Sequence, residues 1–355
     1  MKRHRLVMTA LWADVFLASA ALTGRGGEVV LETPSDDRWH YPFNFNPGRR
    51  PFASCFGSTS DPNYTTFNDR DGIFLIAWRT DEVICPDLPP GSYDITSIRV
   101  TLTGPAGADW DIDLTADPWF HMVYPIADVD PGQPLELFGV GFGPDFTYEN
   151  WTEFSFYVGG DDQGFAERDP FPFVFEEPSG NRLHVEDSVK DQFTPTPWSI
   201  GLPEGYSPGG QTTPFPVHFD VDLALSGGRV RRYFQEQLSG GRVAVAVTSL
   251  ALTFKQAQAG FPTFYTKEGA ALDPNAQPPQ LTIVILPSAD LDGDGRRDRD
   301  DWPEMRFCLD GPESAPPSGG ALSADGCLCL YDLDEDGDVD LRDVDRFQRR
   351  FNGGS

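Results

Sequence analysis

The chain has 355 residues, with 27 Lys plus Arg against 55 Asp plus Glu, a formal net charge of −28. The length suits about two domains, and 39% hydrophobic with 13% aromatic residues excludes wholesale disorder. Such acidity argues against nucleic acid as a partner, because that affinity comes mostly from Lys and Arg on phosphates. Gly 36 and Pro 32 exceed ordinary usage and, with few long helical patterns, predict a turn-rich β protein.

Residues 1–24 read as a secretory signal peptide. A basic start at Met1–Arg5 precedes an apolar stretch from Leu6 to Leu22, and Ala18, Ser19, Ala20 and Ala21 supply small residues for cleavage. Asp14 interrupts the apolar stretch. Beyond this segment no run approaches about 18 apolar residues, so no membrane span is expected after its removal. Export places the cysteines in an oxidising compartment, where Cys55 and Cys85 could bridge one loop to another.

Residues 28–286 read as one β domain. Period-two alternation marks strands at Tyr93–Leu102, Asp109–Leu114, Glu153–Val158, Val217–Leu225 and Val243–Leu252. Turn clusters such as Thr103-Gly104-Pro105 separate them. Strands in series without helices between them predict a sandwich or barrel. One short helix is expected at Arg229–Leu238, where Val230, Tyr233, Phe234 and Leu238 share a face and Gly240 ends the pattern.

The strand, helix, strand order across Val217–Thr253 is followed by an aromatic stretch Phe261–Thr266 and then Asp273-Pro274, Pro278-Pro279 and the apolar Leu281–Ile283. This closing pattern resembles the end of a DNRLRE-type domain, with Gln277 where that family carries Arg. The resemblance implies a mainly β fold, a secreted jelly-roll-like β-sandwich related to carbohydrate-binding modules, with polysaccharide as a partner. It brings no catalytic motif. Gly205-Tyr206-Ser207-Pro208-Gly209 matches a nucleophile-elbow spacing, but such a Ser must sit between a strand and a helix, and Pro203, Pro208 and Pro214 make this a loop. Aromatic faces complement the C–H faces of sugars, so Trp39, Trp119, Trp151 and Trp198, in loop-like settings, are the candidates for glycan stacking.

Residues 288–355 carry the strongest pattern. Asp290, Asp292, Asp294, Asp298 and Asp301 recur 42 residues later as Asp332, Asp334, Asp336, Asp340 and Asp343. Each set fills positions 1, 3, 5, 9 and 12 of a loop whose sixth residue is Gly295 or Gly337. Ca2+ takes 6–8 oxygens, and this spacing wraps a chain around it, with position 7 (Arg296, Asp338) supplying a backbone carbonyl. Two calcium sites are expected, the first weakened by Arg297 at position 8, where the second loop has Val339.

The loops resemble the paired EF-hand-like loops of type I dockerin, which use Asp at position 12. That resemblance implies a short helix after each loop and a cohesin-like domain as protein partner. Trp302, Met305 and Leu309 align with Val344, Phe347 and Phe351 as the apolar faces of the two helices. Cys308 is expected to bond Cys327 or Cys329, stapling a region with little core of its own. The expected function is that of a secreted, non-catalytic calcium-binding protein attached to extracellular polysaccharide processing. A structural cell-surface protein with a calcium-rigidified tail is the alternative, and a polysaccharide-degrading enzyme a third reading.

Overall fold

The computed structural model describes residues 27–41, 44–57, 69–116, 118–120, 132–157, 168–251, 260–286, 289–292, 296–312, 314, 316, 322–334, 336–349 and 351. The expected signal peptide lies outside them.

The body is mainly β, two antiparallel sheets forming a sandwich-like core. One sheet has the order β1 (Gly27–Leu31), β15 (Gln280–Leu286), β6 (Asp94–Gly104), β12 (Phe215–Asp220) and β11 (Leu202–Pro203). The other runs β2 (Asp36–His40), β5 (Arg70–Arg79), β13 (Arg242–Thr248), β7 (Glu136–Gly141), β8 (Phe171–Phe175) and β9 (Arg182–His184). Two short strands join its flanks: β4 (Phe56–Gly57) on β5 and β10 (Ser199–Ile200) on β7. A small pair, β3 (Phe52–Ser54) with β14 (Thr263–Tyr265), stands apart. The first and last strands of the body pair with each other, Gly27 opposite Ile285 and Leu31 opposite Leu281, so the domain closes on its own ends.

Alternation along β6 sends Ile98, Val100 and Leu102 inward to meet Phe74, Ile76 and Trp78 of β5 and Val243, Val245 and Val247 of β13. The opposite face of β5 is buried too. Ile73, Leu75 and Ala77 pack with Ala244, Ala246 and Val140 beneath Phe146 and Trp151, which come from the long connection after β7. That double burial explains why Ile73–Trp78 is an unbroken apolar run with no alternation to reveal it.

The expected helix forms as α1 (Arg229–Ser239), with Val230, Tyr233, Phe234 and Leu238 buried and Gly240 following its last residue. Two expected strands do not form. Around Asp109–Leu114 only Trp110 makes a bridge, to Gly260. Residues 153–157 are turn and coil, because Glu153 is drawn into side-chain bonds: its Oε2 accepts from the Asp37 N–H at 3.1 Å and from Nζ of Lys267. The strand expected to reach Leu225 ends at Asp220, and Oδ1 of Asp222 then accepts the Ala224 N–H at 2.9 Å, forming a turn. A short helix, α2 (Lys267–Ala270), starts on Thr266, whose side chain accepts the Gly269 N–H.

The tail is helical: α3 (Trp302–Cys308), α4 (Ala324–Tyr331) and α5 (Leu341–Arg349). The first and third follow the two acidic loops as expected, and their apolar faces meet with Trp302 and Phe347 rings 6.1 Å apart. The second was not foreseen. It is capped by Ser323, whose hydroxyl accepts the Gly326 N–H at 3.0 Å.

The cysteines correct one expectation and settle another. Cys55 does not bond Cys85. It is fully buried and reduced, its thiol facing the Val247 carbonyl at 3.3 Å. Cys85 instead bonds Cys329, 244 residues away, and Cys308 bonds Cys327. Helix α4 thus carries one half-cystine of each bridge, Cys327 and Cys329, two residues apart, one tied to α3 and one to the sandwich. The two disulfides point to an oxidising environment, and no helix among the described residues is long and apolar enough to cross a membrane.

Candidate metal centre

In the second loop the chain turns at Gly337 with φ of 93°, a left-handed conformation that favours glycine. The turn brings carboxylates together in two overlapping groups: Asp332, Asp334 and Asp343, and Asp338, Asp340 and Asp343, each offering oxygens within 4.8 Å of one another. Asp343 is fully buried, and Asp338 and Asp340 are nearly so. Four acids converging on one buried carboxylate repel it and one another unless a cation or protons intervene, so these clusters could hold a metal ion. Asp336 is exposed, and one of its oxygens pairs with the Arg342 guanidinium at 2.9 Å.

Backbone donors hold this arrangement in register. Oδ1 of Asp343 accepts from the N–H groups of Leu333 at 2.6 Å and Asp334 at 3.0 Å, and Oδ2 accepts from Asp340 at 2.8 Å. Asp332 accepts from the N–H groups of Asp336 and Gly337 at 3.1 and 3.0 Å. Burial raises the Asp343 carboxyl above the ordinary carboxylate value, while these N–H groups pull it down.

The first loop repeats the pattern 42 residues earlier. Oδ1 of Asp301 accepts from Leu291 at 2.7 Å and Oδ2 from Asp298 at 2.9 Å. The N–H at position 11 donates to position 9 in both loops, Asp300 to Asp298 at 2.8 Å and Arg342 to Asp340 at 2.6 Å. Asp290, Asp292 and Asp301 form its carboxylate group. Asp294 lies outside the described residues, with Gly293 and Gly295. The Arg296 side chain is exposed. At position 8, Val339 is fully buried and its carbonyl accepts the Asp310 N–H at 3.3 Å, whereas Arg297 is half-buried.

Position 7 departs from expectation. The spacing assigns Asp338 a role through its carbonyl, yet its carboxylate stands among the oxygens of Asp340 and Asp343. An acid at that position was the available signal.

The first loop is tied to the rest of the protein. Tyr331, at the end of α4, donates its hydroxyl to the Asp301 carbonyl at 3.1 Å, and Ser92 of the sandwich donates to the Leu291 carbonyl at 3.3 Å.

The proposed sugar-stacking tryptophans fare differently. Trp151 and Trp198 are corrected: both are 2% exposed and belong to the cores. Trp198 contacts Phe173, Tyr233 and Phe234 edge-on, and Trp151 lies under the Arg242 guanidinium. Trp39 is half-buried, stacked on Tyr41 at 4.9 Å with Arg50 5.9 Å from its ring. Trp119 is half-buried beside Phe120, which is 36% exposed. These two stand on separate parts of the sequence.

The fold and the loops therefore define a sandwich-like β protein with a helical tail whose acidic loops could hold metal. No protein-family model, curated protein or solved structure matches the chain.

Proposed function

We propose that this is a secreted, non-catalytic calcium-binding protein whose tail is a dockerin-like module. One observation carries the reading: two twelve-residue loops, 42 residues apart, in which position 12 accepts the N–H groups of positions 2 and 9. Oxygen-only ligands in a wide loop suit Ca2+ better than Mg2+, which demands a tight octahedron. The tail also exposes Phe307 and Phe351, each 44%, and Leu341, 77%, apolar side chains suited to docking on a cohesin-like domain. On this reading the sandwich is the glycan-binding or carried part, with Trp39 and Trp119 its remaining aromatic candidates.

The Cys85–Cys329 bond favours a second reading, a structural surface protein whose tail is rigidified by calcium, because it fastens the tail to the sandwich. Calorimetry of the full chain should show calcium binding that chelator abolishes. Capture on immobilised cohesin domains with calcium, lost with chelator, supports docking, and calcium binding without capture supports the structural reading. Absence of any calcium heat overturns both.

A further inference from the structure

On the outer face of the second sheet, β2 and β5 pair so that Arg38 lies opposite Leu75 and His40 opposite Ile73. Directly opposed residues share a face, so both side chains point under the connection after β7, beside Ile73 and Leu75 of the outer core. That connection brings Tyr157, whose ring lies 4.6 Å from the His40 ring. Arg38 and His40 are 1% and 0% exposed, and Tyr157 is half-buried with its hydroxyl enclosed.

The polar atoms here are left over. Nε of Arg38, both ring nitrogens of His40 and the Tyr157 hydroxyl are buried without hydrogen-bond partners among the described residues. Native interiors satisfy nearly all such atoms, so four together call for an occupant. Charge says which kind. The other two deeply buried guanidiniums have acids: Arg70 pairs with Glu136 at 2.6 Å and Arg168 with Asp71 at 2.9 Å. Arg38 has no carboxylate partner among the described residues, only the Ser155 carbonyl. A guanidinium does not deprotonate in proteins, and an unpaired buried charge is costly. Water would meet the hydrogen bonds but leave the charge.

We propose that Arg38, His40 and Tyr157 together bind a carboxylate. Nε–H of Arg38, an imidazole N–H and the Tyr157 hydroxyl are three donors for its two oxygens, and one negative charge balances one guanidinium. A dianion such as phosphate fits less well, because Asp71 and Glu186 already place negative charge near Tyr157. The carboxylate is that of a free small acid or of a sugar acid within a glycan.

The test is calorimetry on the full chain with calcium, using sodium acetate, sodium glucuronate, glucose and inorganic phosphate at matched ionic strength. Acetate and glucuronate should bind saturably, phosphate more weakly and glucose not at all. Glucuronate binding at least about thirtyfold tighter than acetate assigns the carboxylate to a sugar acid, and any smaller margin to a free small acid, since one neutral hydrogen bond supplies at most roughly tenfold. Arg38→Gln should abolish binding, and Tyr157→Phe should weaken it at least roughly tenfold, the worth of one hydrogen bond to a charged group. Circular dichroism checks that each variant is folded; if Arg38→Gln is not, Tyr157→Phe decides. No saturable carboxylate binding, or wild-type affinity in a folded variant, overturns the proposal.

Discussion

The backbone N–H of Leu333 donates to Oδ1 of Asp343 at 2.6 Å, across a separation of ten residues. This bond draws the start of the second loop onto its last carboxylate, and Leu291 with Asp301 reproduces it in the first. The same carboxylate is therefore both the clasp of the loop and a candidate metal ligand.

Asp343→Ala should accordingly do more than remove one ligand. It strands three N–H groups and separates the two carboxylate clusters that share Asp343. One calcium-binding event should disappear in calorimetry of the full chain, together with the stabilisation that calcium confers, about 2.7 kcal/mol at a hundredfold excess over Kd. Asp301→Ala should cost less binding, because its group is less enclosed and Arg297 sits half-buried at position 8. Equal losses from the two variants would contradict the ranking of the sites.

Arg342→Ala should leave the second site intact and tighten calcium binding by a fewfold. Its guanidinium pairs with Asp336, at position 5 of the loop, and a cation there competes with the metal for that carboxylate. The pair is exposed, and such pairs contribute only about 0.2–1 kcal/mol. Weaker calcium binding in this variant would show that the arginine supports the loop instead.

Peptide mapping without reduction should find Cys85 linked to Cys329, Cys308 linked to Cys327, and Cys55 alkylated only after unfolding. Cys85→Ser with Cys329→Ser should destabilise the chain by roughly 2–5 kcal/mol in denaturant titration, given the long loop the bond closes. A Cys55–Cys85 peptide would refute this pairing.

Trp198→Ala should lower stability by ~3–5 kcal/mol, the cost of emptying a packed aromatic site, with no change in glycan retention beyond that caused by unfolding. Trp39→Ala and Trp119→Ala are the informative substitutions for sugar binding. Retention on polysaccharide that falls in either folded variant would place the sugar, and retention unchanged in both would remove aromatic stacking from the sandwich's role.

Acid should destabilise the body through His40. Burial, with Arg38 and Arg168 nearby, holds its imidazole well below the ordinary histidine value. The unfolded chain therefore binds a proton near pH 6.5 that the folded one does not. Stability contributed by this group is whole above pH 6.5 and falls as pH drops below it, by about 1.4 kcal/mol per pH unit until the folded histidine also titrates. Denaturation of the wild type and of His40→Gln at pH 7.5 and 5.5 should give a shallower pH dependence for the variant.

The gathering of the tail's acids was legible in the sequence, because acids spaced at 1, 3, 9 and 12 of a short loop are brought close whenever that loop turns back on itself. The sandwich was legible where one face meets water, as in β6 and β13, and illegible where both faces are covered, as in β5. The segment 153–157 alternates like a strand, yet its Glu153 is committed to Asp37 and Lys267. Trp151 and Trp198 sit among loop residues in sequence, but the loops fold back over the sheets and carry them inside. Nothing local distinguishes Cys55 from Cys329 as the partner of Cys85, since that choice is made by contacts over more than two hundred residues. The unpaired Arg38 was equally invisible, because its neighbours come from β2 and from a connection 117 residues later.

The bond from Cys85 to Cys329 also sets the path of mechanical tension. A pull on the acidic loop beginning at Asp332 reaches Cys329 within three residues and crosses directly to Cys85. The 244-residue span between the two half-cystines, holding β6 to β15, is thereby taken out of the load. A partner tugging on the second loop would strain β1 to β5 at the front of the chain, while most of the sandwich stays slack.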